Sequence, residues 1–367
     1  MSMGATNILP VLRRCATTLS VFASTLVVVT FPATAQPAFE GKTIRLVIAS
    51  TPSGPTDTTG RVFVPYLSKH LPGKPNIIVE NRPGAAGVVA ANYMHEVAKP
   101  DGLTIGVLFG MVTQGFMRGP GIRYDPNKLQ IIGAVSATQV LLTRHDIGLK
   151  RPQDLLNPGK SLVLASLGTG STTDAANRLF LEIIGAKYKL VTGYPGQAET
   201  ILALARDEAN LANASHTTYL ARRDSIRKEG IYDAFLQRGE LRADGTYARN
   251  KQLPDIPTMV EVIQQLKPEA LKSVDFAAYR SILGALAVHY SFVVPPATDP
   301  RVIETLRKAF SAALDDPEAR QKVPAMLQAD YEFVSGTDSQ KIVQDLHAEF
   351  EANKGIGSRL NEIMSTK

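Results

Sequence analysis

Within Thr43–Arg61 a strand, a broken turn and a helix start follow one another, and this unit recurs later in the chain. Ile44, Leu46 and Ile48, with Val47 and Ala49 between them, form a short apolar run rich in β-branched residues. Such a run fits a strand buried on both faces. Thr51-Pro52-Ser53-Gly54-Pro55 ends it, because two prolines and a glycine cannot continue a ladder. Thr56 and Asp57 are N-cap types, and Val62, Phe63, Tyr66 and Leu67 follow at helical spacing, with Pro65 predicting a kink or restart. The pattern returns in Leu162–Ser166, the glycine turn Leu167-Gly168-Thr169-Gly170-Ser171, and a helix opened by Thr172-Thr173-Asp174 with Ala176, Leu179, Phe180 and Ile183 on one face. Each unit aims backbone N–H groups and a helix dipole at one spot, which attracts an anion.

Strands and helices alternate elsewhere too, the pattern of an α/β sheet. Ile77–Val79 and Leu103–Leu108 read as strands, as do Ile131–Val135 and Val140–Thr143 with a break near Ser136. Lys189–Val191, Asn210–Ala214, Ser281–Leu283 and Ser291–Val294 read as strands as well. Residues 222–249 are charged and mixed, which fits a solvated face or an insertion. From Asp299 the pattern is helical and ends in a polar tail.

The 367 residues suffice for two domains or one large one, and 44% hydrophobic with 20% charged residues is ordinary for a soluble globular protein. Residues 1–35 differ. Arg13 and Arg14 precede an uncharged, mostly apolar run from Cys15 to Phe31, and Ala33-Thr34-Ala35 offers a small-x-small cleavage pattern. This reads as a secretory signal removed after Ala35. No later stretch approaches the roughly 18 apolar residues of a membrane helix. The single cysteine lies in the leader, so the mature chain has no disulfide, thiolate or cysteine metal site.

His70, His95, His145, His216, His289 and His347 lack metal-site spacing, and no G-x-S-x-G elbow or phosphate loop is present. The net charge of +6, two units of it in the leader, is spread rather than clustered. Nucleic acid is therefore a poor partner, while an anionic small ligand is favoured. Neither turn, 51–57 or 167–174, contains Lys or Arg. A carboxylate gripped from both sides by N–H groups and hydroxyls suits them better than a nucleotide.

At this point the residues match a family. Ser50-Thr-Pro-Ser-Gly-Pro-Thr-Asp57-Thr-Thr-Gly-Arg61 resembles the P-F-P-P-G-G-x-x-D-x-x-A-R signature of tripartite tricarboxylate transporter receptors, the Bug-type periplasmic solute-binding proteins. Val79-Glu-Asn-Arg-Pro-Gly-Ala-Ala-Gly87 is similar to their V-E-N-R-P-G-A-G-G, and Pro100–Thr104 to their P-D-G-Y-T. Gly168–Ser171 stands where the second ligand loop falls, and Gly193–Gly196 where V-P-Y-K-G is usual. Leu253–Thr258 and Val294–Pro296 resemble later family segments, so the likeness spans essentially the whole mature chain. The sequence departs from the pattern at Ser53, which replaces the first glycine, and at Gly193 and Pro195, which replace proline and lysine beside Tyr194.

The resemblance implies an α/β, two-lobe Venus flytrap of the type II periplasmic-binding-protein class, with crossing hinge strands. Lobe 1 would take residues 36–138 and 280–367, and lobe 2 residues 139–279. A small carboxylate would sit between two pincers, Ser53, Gly54, Pro55, Thr56 and Asp57 on one side and Gly168, Thr169, Gly170, Ser171, Thr172 and Thr173 on the other. Tyr194 and Gln197 would line the cleft nearby. The implied protein is a periplasmic monomer, not an enzyme, without cofactor or metal, that delivers its ligand to membrane subunits of a transporter. The readings left open are an orphan sensor of the same fold and an exported hydrolase using Ser171 or Ser53 with His216. Asp57 can bond the ligand loop or only cap its helix, Asp174 can pair with Ser171 as a cap, and Asn81 and Arg82 can order their own turn or reach the cleft.

Overall fold

The computed structural model describes residues 39–118, 121–136, 138–168, 171–242, 244–327 and 332–365. The expected signal segment 1–35 and the pincer residues Thr169 and Gly170 lie outside them. The first half of the described chain runs β1 (Thr43–Ile48), α1 (Pro55–His70), β2 (Asn76–Asn81), α2 (Val88–Glu96), β3 (Thr104–Phe109), α3 (Met111–Met117), β4 (Gln130–Val135) and β5 (Gln139–Arg144). Then come β6 (Leu162–Ala165), α4 (Thr172–Ile184), β7 (Tyr188–Val191), α5 (Gln197–Ala205), β8 (Leu211–Ser215), α6 (His216–Glu229) and β9 (Tyr232–Gln237). A small hairpin, β10 (Glu240–Leu241) with β11 (Tyr247–Ala248), precedes α7 (Met259–Leu266), α8 (Val274–Ala287) and β12 (Tyr290–Val294). The chain closes with α9 (Pro300–Asp315), α10 (Pro317–Leu327), β13 (Phe333–Ser335), α11 (Gly336–Ala352) and α12 (Gly355–Ser365).

Two sheets organise these elements. The first has the order β13-β4-β12-β3-β1-β2, the second β7-β6-β8-β5-β9. In β1 the side chains alternate between two cores. Ile44, Leu46 and Ile48 pack with α1 and α9 through Phe63, Leu67 and Phe310, whereas Val47 and Ala49 pack with α2 and α3 through Ala91, Met94 and Met111. A strand covered on both faces has no polar side, which is why its run is continuously apolar. The second sheet is covered in the same way. Leu141, Leu164 and Leu211 face α4, α7 and α8, while Val140, Leu142 and Ala212 face α5 and α6.

Strand direction fixes where the sheets meet. β1, β2 and β3 run parallel, β12 opposes β3, and β4 opposes β12, so β4 ends at the same edge as the first three. In the second sheet β6, β7 and β8 run parallel and β5 opposes β8, so β5 begins at the edge where they end. The chain crosses from Val135 to Gln139 through a few residues. The carboxyl edges of both sheets therefore converge on that crossing, the place where open α/β sheets bind ligands.

Several elements differ from the sequence reading. Ser281–Leu283 lies inside α8, whose start is capped by Ser273 accepting from the Phe276 N–H at 3.1 Å. The short apolar triplet imitates a strand, and the cap upstream is what decides for helix. The tract 222–249 contains most of α6, all of β9 and the hairpin rather than a uniformly solvated face. α1 runs unbroken through Pro65 from Pro55 to His70. A further strand, β13, interrupts the helices after Asp299.

The polar tail is also structural. α12 buries Ile356, Leu360 and Ile363 in the core of the second sheet beside α4 and α8, although the sequence reading grouped it with the first lobe. Arg359 holds it there, donating to Asp275 at 2.7 Å and to Glu362 at 2.9 Å and pairing with Glu182. α8 makes a second link, because Tyr279 and Ile282 belong to the core of the second sheet while Ala285 and Val288 belong to that of the first. We expect Leu360→Ala, at a site 1% exposed, to cost about 2–5 kcal/mol in urea unfolding, as a buried leucine does. A cost below about 0.5 kcal/mol, the range of surface substitutions, would mean that α12 is dispensable to this core.

Candidate functional site

The turn between β1 and α1 is shaped by Asp57. Pro55 is the first helical residue, so Asp57 stands third, where a carboxylate meets the positive end of the helix. It is buried, and both oxygens are engaged. Oδ2 accepts from the Ser53 N–H at 2.8 Å, and Oδ1 accepts from Asn81 Nδ2 at 2.7 Å and from Arg61 Nε at 2.9 Å. Asn81, the last residue of β2, also donates to the Ser50 carbonyl at 2.9 Å. Burial alone would raise the carboxyl pKa, but hydrogen bonds from Arg61, Asn81 and Ser53 outweigh it and hold Asp57 below the usual 3.8. The same bonds hold Ser53 at φ 66°, left-handed backbone where glycine costs less.

The turn between β6 and α4 repeats this plan with different donors. Ser171 caps α4, its Oγ accepting from the Asp174 N–H at 3.2 Å. Asp174 is again the third helical residue and is buried. Its carboxylate turns back to the loop, accepting from Ser166 Oγ at 2.7 Å and from the Leu167 N–H at 2.8 Å. Asn213 on β8 stands to Asp174 as Asn81 stands to Asp57, with Nδ2 3.4 Å from Oδ1. Ser171 and Asp174 thus share one cap bond, while the Asp174 carboxylate orders the strand end. Gly168, at φ 105°, needs the freedom of a glycine for this bend.

What remains open at the helix starts are amides. Among the described residues no acceptor is present for the N–H groups of Thr56 and Asp57 in α1, or of Thr172 and Thr173 in α4. Ser53 and Pro55 are exposed, and Gly54, Gly168, Ser171, Thr172 and Thr173 are half-buried, while Thr56 and Asp57 are buried. Two dipole-backed amide pairs on the carboxyl edges of two sheets can hold oxygen atoms of an anion.

The remaining candidates separate. Gln197 opens α5 at the same edge and staples it, donating to Gln139 at 3.2 Å and accepting from the Ser215 N–H at 3.0 Å. The Tyr194 hydroxyl donates to Glu208 beyond the far end of α5, at 3.2 Å, and its ring packs on the α5–α6 core. Arg82 orders its own surroundings, bonding Glu80 at 2.8 Å and stacking on the Tyr93 ring at 3.8 Å. A residue not among the sequence candidates also reaches the second turn. Arg238, just past β9, donates through Nη2 to the Thr173 carbonyl at 2.7 Å and to Asn213 Oδ1 at 3.2 Å. It brings a cation to a turn whose own sequence has none, from a tract that reads as solvated.

Asp57→Asn gives a signed test of the first lock. Because the folded-state pKa lies below 3.8, the stability Asp57 contributes is present above that value and is lost as pH falls through the folded pKa. The stability difference between wild type and Asp57→Asn, from urea unfolding, should be largest near pH 6 and shrink below pH 4. A difference that grew on acidification would contradict the lock.

Known proteins agree with this architecture. The model of the tripartite tricarboxylate transporter family receptor matches residues 61–358. A UPF0065 protein from the gbd 5′ region of Cupriavidus necator is 29% identical over 308 residues, covering 80% of this chain and 81% of its own. Among solved structures, a TctC solute-binding protein from Polaromonas superposes with a TM-score of 0.68 at 19% identity, covering 89% of this chain and all of its own. An R. palustris protein solved with adipate superposes at 0.53 and 19% identity, covering 86% and 97%. The chain belongs to the tripartite tricarboxylate transporter family of receptors, whose members bind solutes and are not enzymes.

Proposed function

We propose that this chain is exported to the periplasm, where it captures a small carboxylated solute between its two sheets and delivers it to the membrane subunits of a tripartite transporter. The observation that carries this reading is the pair of aspartate-ordered turns on converging sheet edges, each with two helix-start amides that have no acceptor among the described residues. Family membership and the adipate held by a relative of the same fold support a carboxylate. The leader-like residues 1–35 support export. In this reading Ser53, Gly54, Pro55, Thr56 and Asp57 form one pincer and Gly168 to Thr173 the other. The carboxylates of Asp57 and Asp174 order the pincers and do not touch the ligand.

The test is binding by refolded protein, freed of carried ligand, across a panel of carboxylic acids. A ligand at one hundred times its dissociation constant should stabilise the fold by about 2.7 kcal/mol and raise the melting temperature. Silence across carboxylates with a response to neutral or cationic solutes would overturn the reading.

Thr172→Pro probes the second pincer directly. Thr172 is the first residue of α4, where proline is tolerated, and Ser171 at φ −71° and ψ 107° already has the extended backbone that precedes proline. The substitution deletes one open amide and leaves the helix in place. Carboxylate affinity should fall about tenfold or more, as for loss of one hydrogen bond to a charge, with little change in melting temperature. Unchanged affinity in a folded variant would remove that amide from the site.

A further inference from the structure

The charged tract 222–249, which reads from sequence as a solvated face or an insertion, ends in a strap between the two halves. The chain enters it from β9 of the second sheet, yet Leu241 on β10 packs into the core of the first sheet beside Val334 and Phe350. Tyr247 on β11, the pairing partner of Leu241, packs instead on the core of the second sheet. β10 and β11 therefore lie across the boundary, one apolar side chain in each half.

A polar contact fastens the strap. Glu332 stands just before β13 in the first half, and its carbonyl accepts from the Ser136 N–H at 2.8 Å, beside the crossing. Its side chain reaches the second half, accepting from Asn250 Nδ2 at 3.0 Å and lying against Glu240 of β10. Both carboxyls line one small cavity at the crossing, with Thr138 and Leu286 of α8. Two carboxylates resist ionising together in such a place, so one proton is shared between them. Burial and Glu240 push the Glu332 carboxyl up to about 9, and near neutral pH it donates to Glu240. The other charged and titratable groups nearby do not replace that proton. Lys251, which favours ionisation of Glu332, is exposed, as is Arg242. Arg238 spends Nη2 on Thr173 and Asn213, Arg280 of α8 pairs with Glu349 of α11, and burial holds the Tyr247 hydroxyl protonated.

We propose that Glu332 and Glu240 form a proton-dependent clasp between the two halves, fastened while they share a proton and released when both are charged. Release sets like charges side by side, parts β10 from the segment before β13, and lets the halves move about the crossing. The acid sets the direction. Its pKa is raised where the halves are joined, so joining is favoured below that value and weakens as pH rises through it. The clasp does not depend on what the cleft binds.

The distance between the halves, read in refolded protein without added ligand, tests the clasp. With Cys15, the single cysteine of the chain, replaced by serine, Val89→Cys on α2 and Leu202→Cys on α5 carry spin labels at sites 44% and 43% exposed. Double electron–electron resonance from pH 7 to pH 10 should show a longer-distance population that grows with alkalinity and is half developed near 9. Glu332→Gln keeps a neutral group that can donate to Glu240 and accept from Asn250, so its distances should stay at the neutral-pH value throughout. Glu332→Ala has neither function, and its longer population should be present already at pH 7. Should the protein stop melting cooperatively before pH 10, Glu332→Ala against wild type at pH 7 decides. Should Glu332→Ala not fold, the pH series of wild type against Glu332→Gln decides. A wild-type distribution indifferent to pH, a pH response that Glu332→Gln shares, or a folded Glu332→Ala that matches wild type at pH 7 would overturn the clasp.

Discussion

The architecture turns on one topological constraint. β4 ends at the carboxyl edge of the first sheet and β5 begins at that of the second, with residues 136–138 between them. A crossing that short cannot carry the second sheet round to the other side, so the two carboxyl edges must converge. Everything that loops off those edges is then brought toward one region. That includes the starts of α1, α4 and α5 and the segment after β9. α8 and the 353–355 link add two further connections, and α12 returns the chain to the second core after α11 has packed on the first. Relative motion of the two halves must be absorbed where these three links pass.

The turns that open α1 and α4 are built alike without sharing a sequence. In each, an aspartate third in a helix folds its carboxylate back onto a preceding loop amide, and an asparagine from a neighbouring strand braces it. The physical demand is common to both. A loop whose amides stay open cannot use them to hold its own shape, so the shape is imposed by side chains. An aspartate at that helical position does this while gaining from the helix dipole. Hence the acid required to build an anion-attracting turn is hidden inside it.

Much of this was legible because the responsible forces are local. The double-faced burial of β1 is written in Ile44–Ala49, and the breaks at Pro52–Pro55 and Gly168 are written in backbone chemistry. The crossing was legible as the interruption at Ser136 between two apolar runs. What was lost depends on distant partners. Ser281–Leu283 is apolar in strand or helix alike, and only the Ser273 cap tells them apart. β9 was hidden because Asp233 within it is covered by Tyr219 and Arg227, donors from α6 that no periodicity can announce.

Arg238 is the sharpest case, and it separates the two halves electrostatically. In the first turn the Asp57 charge is met by Arg61 from its own helix, a side chain 47% exposed, so that lock is neutral within itself and partly solvated. In the second, Asp174 is met among the described residues by a hydroxyl, an amide and Asn213, and the cation is Arg238, on the other side of the same asparagine. Asn213 Oδ1 accepts from both Arg238 and Asn177, which fixes its amide so that Nδ2 turns to Asp174. Charge is therefore balanced through a neutral relay in buried surroundings. Removing one member of such a relay leaves an uncompensated buried charge, which costs far more than the pair contributes when intact. The second half thus holds its cation in place by the same bonds that order its turn, and two of its guanidinium nitrogens find no acceptor among the described residues.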